Sequence, residues 1–76
     1  MRIAIAGGGK VGYYLAKTLM EEHRITLIDK DEALCQKLAE DLGVPVVIGD
    51  AAKLRVLEDA EIERSDVLVA ATGKDE

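Results

Sequence analysis

The stretch from Ile3 to Gly12 constrains this chain most, because an apolar run breaks there into glycines and then resumes with helical spacing. It predicts a strand, a tight turn and the start of a helix, with glycines in a GxGxxG pattern. Such glycines permit an unusual turn, close approach of the backbone to a pyrophosphate, and close packing of the helix on the strand. The stretch therefore predicts a phosphate-binding turn of the dinucleotide type. Its candidate binding residues are Gly7, Gly8, Gly9, Lys10, Val11 and Gly12.

The rest of the chain alternates short apolar runs with helical patterns. Strands are expected over residues 2–6, 25–29, 44–48 and 66–71, and helices over 10–22 and 32–42 with a shorter one near Leu54 and Leu57. Asp31 is a plausible N-cap of the second helix, and Gly43 stands where its C-cap belongs. In the first helix, the residues expected to pack on the sheet are Val11, Leu15 and Leu19, with Tyr14 alongside.

This βαβαβαβ order predicts one α/β domain over residues 1–76, a Rossmann-like doubly wound parallel sheet that is truncated. Right-handed crossovers place its strands in the order 3-2-1-4. The fourth strand would be an open edge with the apolar sequence Val67-Leu68-Val69. We therefore expect the chain to be a fragment of a longer lobe or to self-associate through that edge.

Further candidate residues follow the other strands, at the edge of the sheet where a nucleotide would bind. Asp29 ends the second strand 22 residues after Gly7, where a carboxylate can accept hydrogen bonds from both ribose hydroxyls. Its charge would repel a 2′-phosphate, and the neighbouring Lys30 does not clearly offset it, so NAD is favoured over NADP. A helix-capping role is the alternative for Asp29. After the third strand come Asp50 with Ala51, expected on the adenine side, or Asp50 as a helix cap. After the fourth strand come Thr72 with Gly73, expected near the phosphates or the second ribose.

Charge and composition exclude several classes of protein. The net charge is −5, and ten basic residues are scattered among fifteen acidic ones, so nucleic-acid binding is not expected. The single cysteine, Cys35, excludes an internal disulfide or a cysteine-cluster metal site and fits a reducing compartment. No apolar run is long enough for a transmembrane helix, so a soluble cytoplasmic chain without direct membrane insertion is expected. His23 lies away from the nucleotide edge and is read as a surface residue, which leaves no catalytic candidate.

Four motifs in order give the chain a family resemblance that spans its whole length. The motifs are Met1 to Ala16 around the glycines, Leu27-Ile28-Asp29-Lys30-Asp31, Val47-Ile48-Gly49-Asp50-Ala51 and Val69 to Glu76. With these motifs the chain resembles the N-terminal part of Trk-type potassium-uptake regulatory proteins, also called the KTN or RCK domain family. At position 61 the chain has glutamate where the family often has glycine.

The resemblance implies a regulatory module, not an enzyme, that binds NAD(H), or alternatively ATP, ADP or AMP, and controls a membrane potassium transporter or channel. It also implies a homo-oligomer, as a dimer or ring, attached peripherally to the membrane through that partner. By matched position, the turn glycines would hold the phosphates, Asp29 the ribose, and Asp50 and Ala51 the adenine side. The residues alone leave two alternatives open: the cofactor half of an NAD-dependent dehydrogenase, or an S-adenosylmethionine-binding domain.

Overall fold

Strands and helices alternate along the chain in this computed structural model, which describes residues 1–71. Each of the first three strands ends in a short turn that leads into a helix, so the connections are brief and the polar turn residues collect at the edges of the sheet. The elements are β1 (Arg2–Ala6), α1 (Lys10–Leu19), β2 (Arg24–Asp29), α2 (Glu32–Leu42), β3 (Val46–Ile48), α3 (Leu54–Asp59), a 3₁₀ turn (Ile62–Arg64) and β4 (Val67–Ala70).

The four strands form one parallel sheet in the order β3-β2-β1-β4, which confirms the predicted fold class and strand order. In the register of the sheet, Ile5 lies between Leu27 on β2 and Val69 on β4. Because all the strands run in one direction, their carboxyl ends meet at a single edge. The turns that follow β1, β2 and β3 are therefore neighbours in space.

The core lies between the sheet and helices α1 and α2. Ile5, Leu27 and Leu38 are almost fully buried, and Ile3, Ile25 and Ala16 complete the centre of this cluster. A parallel sheet needs cover on its faces, and the amphipathic helices supply it here on one side. The apolar side chains of β1 and β2 are buried in this core. Their packing fixes the positions of the two strands and of the turns that follow them.

The packing face of α1 differs from the predicted one. The buried residues of this helix are Gly12 and Ala16, whereas Val11 and Tyr14 are 54% and 66% exposed. Small residues let α1 lie close to the sheet at Gly12, and Tyr14 is then about 200° round the helix from that contact. The prediction that Val11 and Tyr14 pack on the sheet is therefore wrong, although Leu15 and Leu19 do pack against the core. The helix also ends at Leu19, not near residue 22.

Helix α2 has the ends that the sequence predicted. The carboxylate of Asp31 accepts a hydrogen bond from the amide of Leu34 at 3.1 Å, which caps the first turn. Gly43 ends the helix with φ of 70°, and its amide bonds to the carbonyl of Ala39. The cap at Asp31 sets where the chain passes from β2 into α2, two residues after Asp29.

The opposite face of the sheet is covered only in part among the described residues. Strand alternation places Ala4, Ile28 and Leu68 on this face. Ala4 and Ile28 are fully buried, but Leu68 on the edge strand is 49% exposed. The expected self-association through β4 stays a prediction, since the structure describes a single chain.

Candidate functional site

A cleft of about 740 Å³ runs along the carboxyl edge of the sheet. It lies where the turns after β1, β2 and β3 meet, which is the position at which open α/β sheets bind ligands. Its volume is in the usual range for a small-molecule site. The predicted site residues that line it are Gly7, Gly8, Gly9, Lys10, Val11, Asp29, Lys30, Asp50 and Ala51.

The glycine turn has two positions that require glycine. Gly7 has φ of 113°, and its amide donates a hydrogen bond to the carbonyl of Ile28 at 2.7 Å. A Cβ on Gly12 would lie 1.9 Å from the carbonyl oxygen of Gly7, so only glycine fits there. Gly12 does not line the cleft itself, but it lets α1 start directly against the turn. The predicted tight turn and close helix packing are confirmed.

The N-terminus of α1 points a set of backbone amides into the cleft region without a side-chain cap. Gly9 is the N-cap residue, and no side chain among residues 1–71 caps it. The first helical hydrogen bond runs from the amide of Tyr13 to the carbonyl of Gly9, which leaves the amides of the first turn without intrahelical partners. Such amides, together with the helix dipole, favour an anion. No acidic residue lies in the first turn to compete with one, and Lys10 is exposed beside it.

Asp29 connects the turns that surround the cleft. Its Oδ2 accepts a hydrogen bond from the amide of Gly8 at 2.7 Å, and its Oδ1 accepts one from the amide of Asp31 at 2.8 Å. The carboxylate therefore holds the glycine turn against the start of α2. Each carboxylate oxygen has a second lone pair, so two more donors can still bind to it.

The main chain of Asp29 joins the third turn to the same point. Its carbonyl oxygen accepts a hydrogen bond from the amide of Gly49 at 2.8 Å and another from the thiol of Cys35 at 3.3 Å. Burial raises the pKa of the Cys35 thiol, and the negative charges of Asp29 and Asp31 raise it further. Cys35 is thus a protonated hydrogen-bond donor beneath the cleft.

Asp50 stands at the far end of the cleft, after β3. Its Oδ1 accepts a hydrogen bond from the amide of Ala52 at 2.9 Å and so closes a turn. Helix α3 begins later, with Lys53 as its N-cap residue, so the helix-capping alternative for Asp50 is wrong. Ala51 and Ala52 lie in the turn between Asp50 and this N-cap residue. Asp50 therefore keeps one carboxylate oxygen that no protein donor within residues 1–71 occupies.

The cleft also has lining residues that were not among the predicted binding residues. Gly49 is one of them, and a Cβ there would come within 2.6 Å of Val56. Period-two alternation along β4 would have identified Leu68 and Ala70, because these two share the face of Ile28. Thr72 and Gly73 lie outside the described residues. The other lining residues that were not predicted as binding residues are Ala6, Ile28, Ala52 and Ala71.

Residues 1–71 contain neither a helix suited to cross a membrane nor a cluster of metal-binding side chains. None of the helices there has the length and apolar character needed to cross a membrane. Within the same range, no group of three or more histidine, cysteine or acidic side chains is arranged to hold a metal ion.

Known proteins of similar sequence match this chain over all or nearly all of its length. The chain is 47% identical over 76 residues to a Trk system potassium uptake protein TrkA homolog of Archaeoglobus fulgidus, with all of this chain and 17% of that protein covered. It is 44% identical to a protein of the same description from Methanothermobacter thermautotrophicus, again over its full length and 36% of the relative. A Trk system potassium uptake protein TrkA of Vibrio alginolyticus is 40% identical, with 99% of this chain and 17% of that protein covered.

These relatives are much longer than the present sequence, which spans between about a sixth and about a third of their lengths. The matched part is the same in each comparison, since it covers all or nearly all of this chain. A family model, the TrkA-N domain, matches residues 3–76. The chain therefore belongs to the TrkA-N domain family.

Proposed function

We propose that this domain binds NAD or NADH, or alternatively ATP, ADP or AMP, in the cleft at the carboxyl edge of the sheet. The observation that carries the proposal is the uncapped N-terminus of α1 beside the carboxylate of Asp29. Backbone amides suit a pyrophosphate, and a carboxylate next to them suits ribose hydroxyls. The amides of α1 and the carboxylate of Asp29 are neighbours in one cleft, as the pyrophosphate and the ribose are neighbours in a dinucleotide.

Several groups of the cleft have a proposed task. The amides of the first α1 turn, from Gly9 to Gly12, bind the phosphates, and the exposed ammonium of Lys10 offsets their charge. Asp29 accepts hydrogen bonds from the ribose through its two remaining lone pairs. The free oxygen of Asp50, beside Ala51, accepts one from an adenine amino group. Thr72 and Gly73 are proposed near the phosphates, and the bound nucleotide is not consumed.

The domain is further proposed to regulate potassium uptake, as part of a protein that acts on a membrane potassium transporter or channel. The supporting findings are its membership of the TrkA-N family and the Trk system names of its relatives. We place it on the cytoplasmic side, attached through that partner, in a homo-oligomer. A nucleotide changes the regulator only if it binds one conformation more tightly than another. NADH and NAD, or ATP and ADP, are therefore expected to differ in their effects on transport.

Calorimetry with the intact protein tests the binding site. NAD, NADH, ATP, ADP, AMP and S-adenosylmethionine are titrated into the unmodified protein and into the Asp29→Ala and Lys10→Gln variants. We expect affinity for the preferred nucleotide to fall about tenfold or more in Asp29→Ala, which corresponds to roughly 1.4 kcal/mol. Lys37→Gln changes an exposed lysine on α2 away from the cleft. It is the control for Lys10→Gln, because both variants lose one positive charge.

Three outcomes would contradict the proposal. Absence of binding by every nucleotide would reject the site. An equal loss of affinity in Lys10→Gln and Lys37→Gln would show that only net charge matters. Tight binding of S-adenosylmethionine alone would support a methyl-donor domain instead. Turnover of NAD with a hydroxy-acid substrate would indicate the dehydrogenase alternative.

A further inference from the structure

A second groove, of about 500 Å³, lies at the opposite edge of the sheet, where the strands begin. It is lined by three of the four arginines in the sequence, although the chain carries a net charge of −5. These arginines are Arg2 on β1, Arg24 on β2 and Arg64 in the 3₁₀ turn. The nucleotide cleft does not include them, so the proposed function does not account for this cluster.

Two of the arginines face each other at an energetic cost. Arg2 and Arg24 are register partners on neighbouring parallel strands, so their side chains leave the sheet on the same face. Like charges in that arrangement repel each other. Within residues 1–71, neither guanidinium has a carboxylate within 4.0 Å, because the one ion pair there joins Arg64 to Glu61 at 3.8 Å.

Asp66, which precedes β4, forms no ion pair with Arg2 or Arg24. The Oδ2 atom of Asp66 accepts a hydrogen bond from the backbone amide of Arg2 at 2.9 Å, and so its carboxylate is used by the main chain. Asp59 and Glu61 also border the groove, and Glu61 is paired with Arg64. Glu21, Glu22 and Asp66 lie at the same edge of the sheet, but none of them is within 4.0 Å of either guanidinium. The two guanidinium groups therefore keep their donors available to an anion.

We propose that this groove binds a phosphate-type oxyanion between Arg2 and Arg24. The planar guanidinium group has a fork of donors that matches the oxygens of phosphate, and two register partners that carry such forks line this groove. The hydroxyl groups of Thr26 and Ser65 line the same groove and add neutral donors. The oxyanion is either free phosphate or the phosphate group of a monoester. Asp59 adds a negative charge to the rim and so weakens binding. Salt screens the attraction between the exposed arginines and the anion, so the affinity falls as the salt concentration rises.

Nuclear magnetic resonance of the intact protein locates the site directly. Inorganic phosphate is titrated at constant ionic strength while the backbone amide signals are followed. Signals of Arg24, Thr26 and Ser65 are expected to shift together along one saturating curve. Shifts confined to Gly8 through Gly12 would overturn the proposal, because they would place phosphate in the nucleotide cleft alone.

Variants provide the second arm of the test. Arg24→Gln is expected to weaken phosphate binding about tenfold, or roughly 1.4 kcal/mol, and to raise the thermal midpoint in phosphate-free buffer of low salt. Arg55→Gln removes the one arginine that lies outside the groove and is the matched control. An equal loss of affinity in both variants would overturn the proposal.

A titration with glycerol phosphate distinguishes the two sources of the anion. Tighter binding than that of inorganic phosphate assigns the groove to a monoester, and weaker binding assigns it to the free ion. Nucleotide binding at the other edge is measured in the same samples and is expected to be unchanged in Arg24→Gln. Failure of the oxyanion proposal therefore leaves the nucleotide proposal untouched, and the reverse also holds.

Discussion

The amide of Gly8 donates a hydrogen bond to Oδ2 of Asp29 at 2.7 Å, across 21 positions of sequence. This bond ties the turn after β1 to the end of β2. The other oxygen of the same carboxylate holds the amide of Asp31, and the carbonyl of Asp29 holds that of Gly49. One residue therefore fixes three turns at the carboxyl edge before any ligand is present. Asp29 has a structural task in addition to its proposed contact with ribose.

Replacing Asp29 by alanine should destabilise the protein even without nucleotide. Two backbone amides lose a charged acceptor, and we expect the free energy of unfolding to fall by about 2 kcal/mol. Urea unfolding in nucleotide-free buffer measures this change. Asp31→Ala, which removes only the α2 cap, is the control and should cost about 1 kcal/mol. Equal stability of Asp29→Ala and the unmodified protein would mean that water replaces both bonds.

Steric exclusion at Gly12 gives a second prediction. Gly12→Ala would place a Cβ 1.9 Å from a backbone carbonyl that cannot move without breaking the turn, so we expect a loss of about 3 kcal/mol or more. Gly43→Ala is the comparison, because Gly43 has φ of 70° but no atom within 4 Å of a Cβ. Only backbone strain applies there, and a loss of about 1 kcal/mol is expected. Thermal unfolding of both variants checks the order, and a smaller loss for Gly12→Ala would contradict it.

The main elements of the fold followed from local patterns in the sequence. Apolar runs bounded by glycine and aspartate predicted the four strands, and capping residues such as Asp31 and Gly43 predicted the limits of α2. Chain connectivity then determined the strand order, because crossovers between parallel strands are right-handed. The same rules placed Asp29 and Asp50 at one edge with the glycine turn.

Contacts between distant residues were beyond local patterns. Val11 and Tyr14 have the spacing of core residues, but the close approach at Gly12 turns them away from the sheet. The hydrogen bond from Gly8 to Asp29 depends on the three-dimensional path of two turns, and no spacing rule contains it. The pairing of Arg2 with Arg24 likewise appears only once the register is known.

Glu61 offers a way to stabilise the protein. It has φ of 55° and ψ of 44°, a left-handed conformation that is strained for a residue with a side chain. Glu61→Gly should therefore raise the free energy of unfolding by about 0.5 to 1 kcal/mol, since relief of strain exceeds the entropy lost by glycine and a weak exposed ion pair. Thermal unfolding measures the gain. Glu63→Gly, two residues further on at a position without positive φ, should lower stability, and a gain in both variants would contradict the explanation.

The buried thiol of Cys35 should make stability depend on alkaline pH. Burial, followed by the charges of Asp29 and Asp31, raises its pKa in the folded protein, whereas the unfolded chain has the ordinary value of about 8.5. A raised pKa means that the folded state holds its proton more tightly. The thiol's contribution to stability is therefore fully present below about pH 8.5 and is lost as the pH rises through the folded pKa.

Urea unfolding of the unmodified protein and of Cys35→Ala between pH 7 and 10 tests this. Lysine and tyrosine titrate in both proteins, so the difference between the two curves isolates Cys35. As the pH rises, we expect the free energy of unfolding to fall more in the unmodified protein than in Cys35→Ala. Parallel curves would mean that the thiol ionises equally in both states. As a second readout, iodoacetamide should modify Cys35 more slowly in the folded protein than in urea at pH 8, because the folded thiol is both buried and protonated.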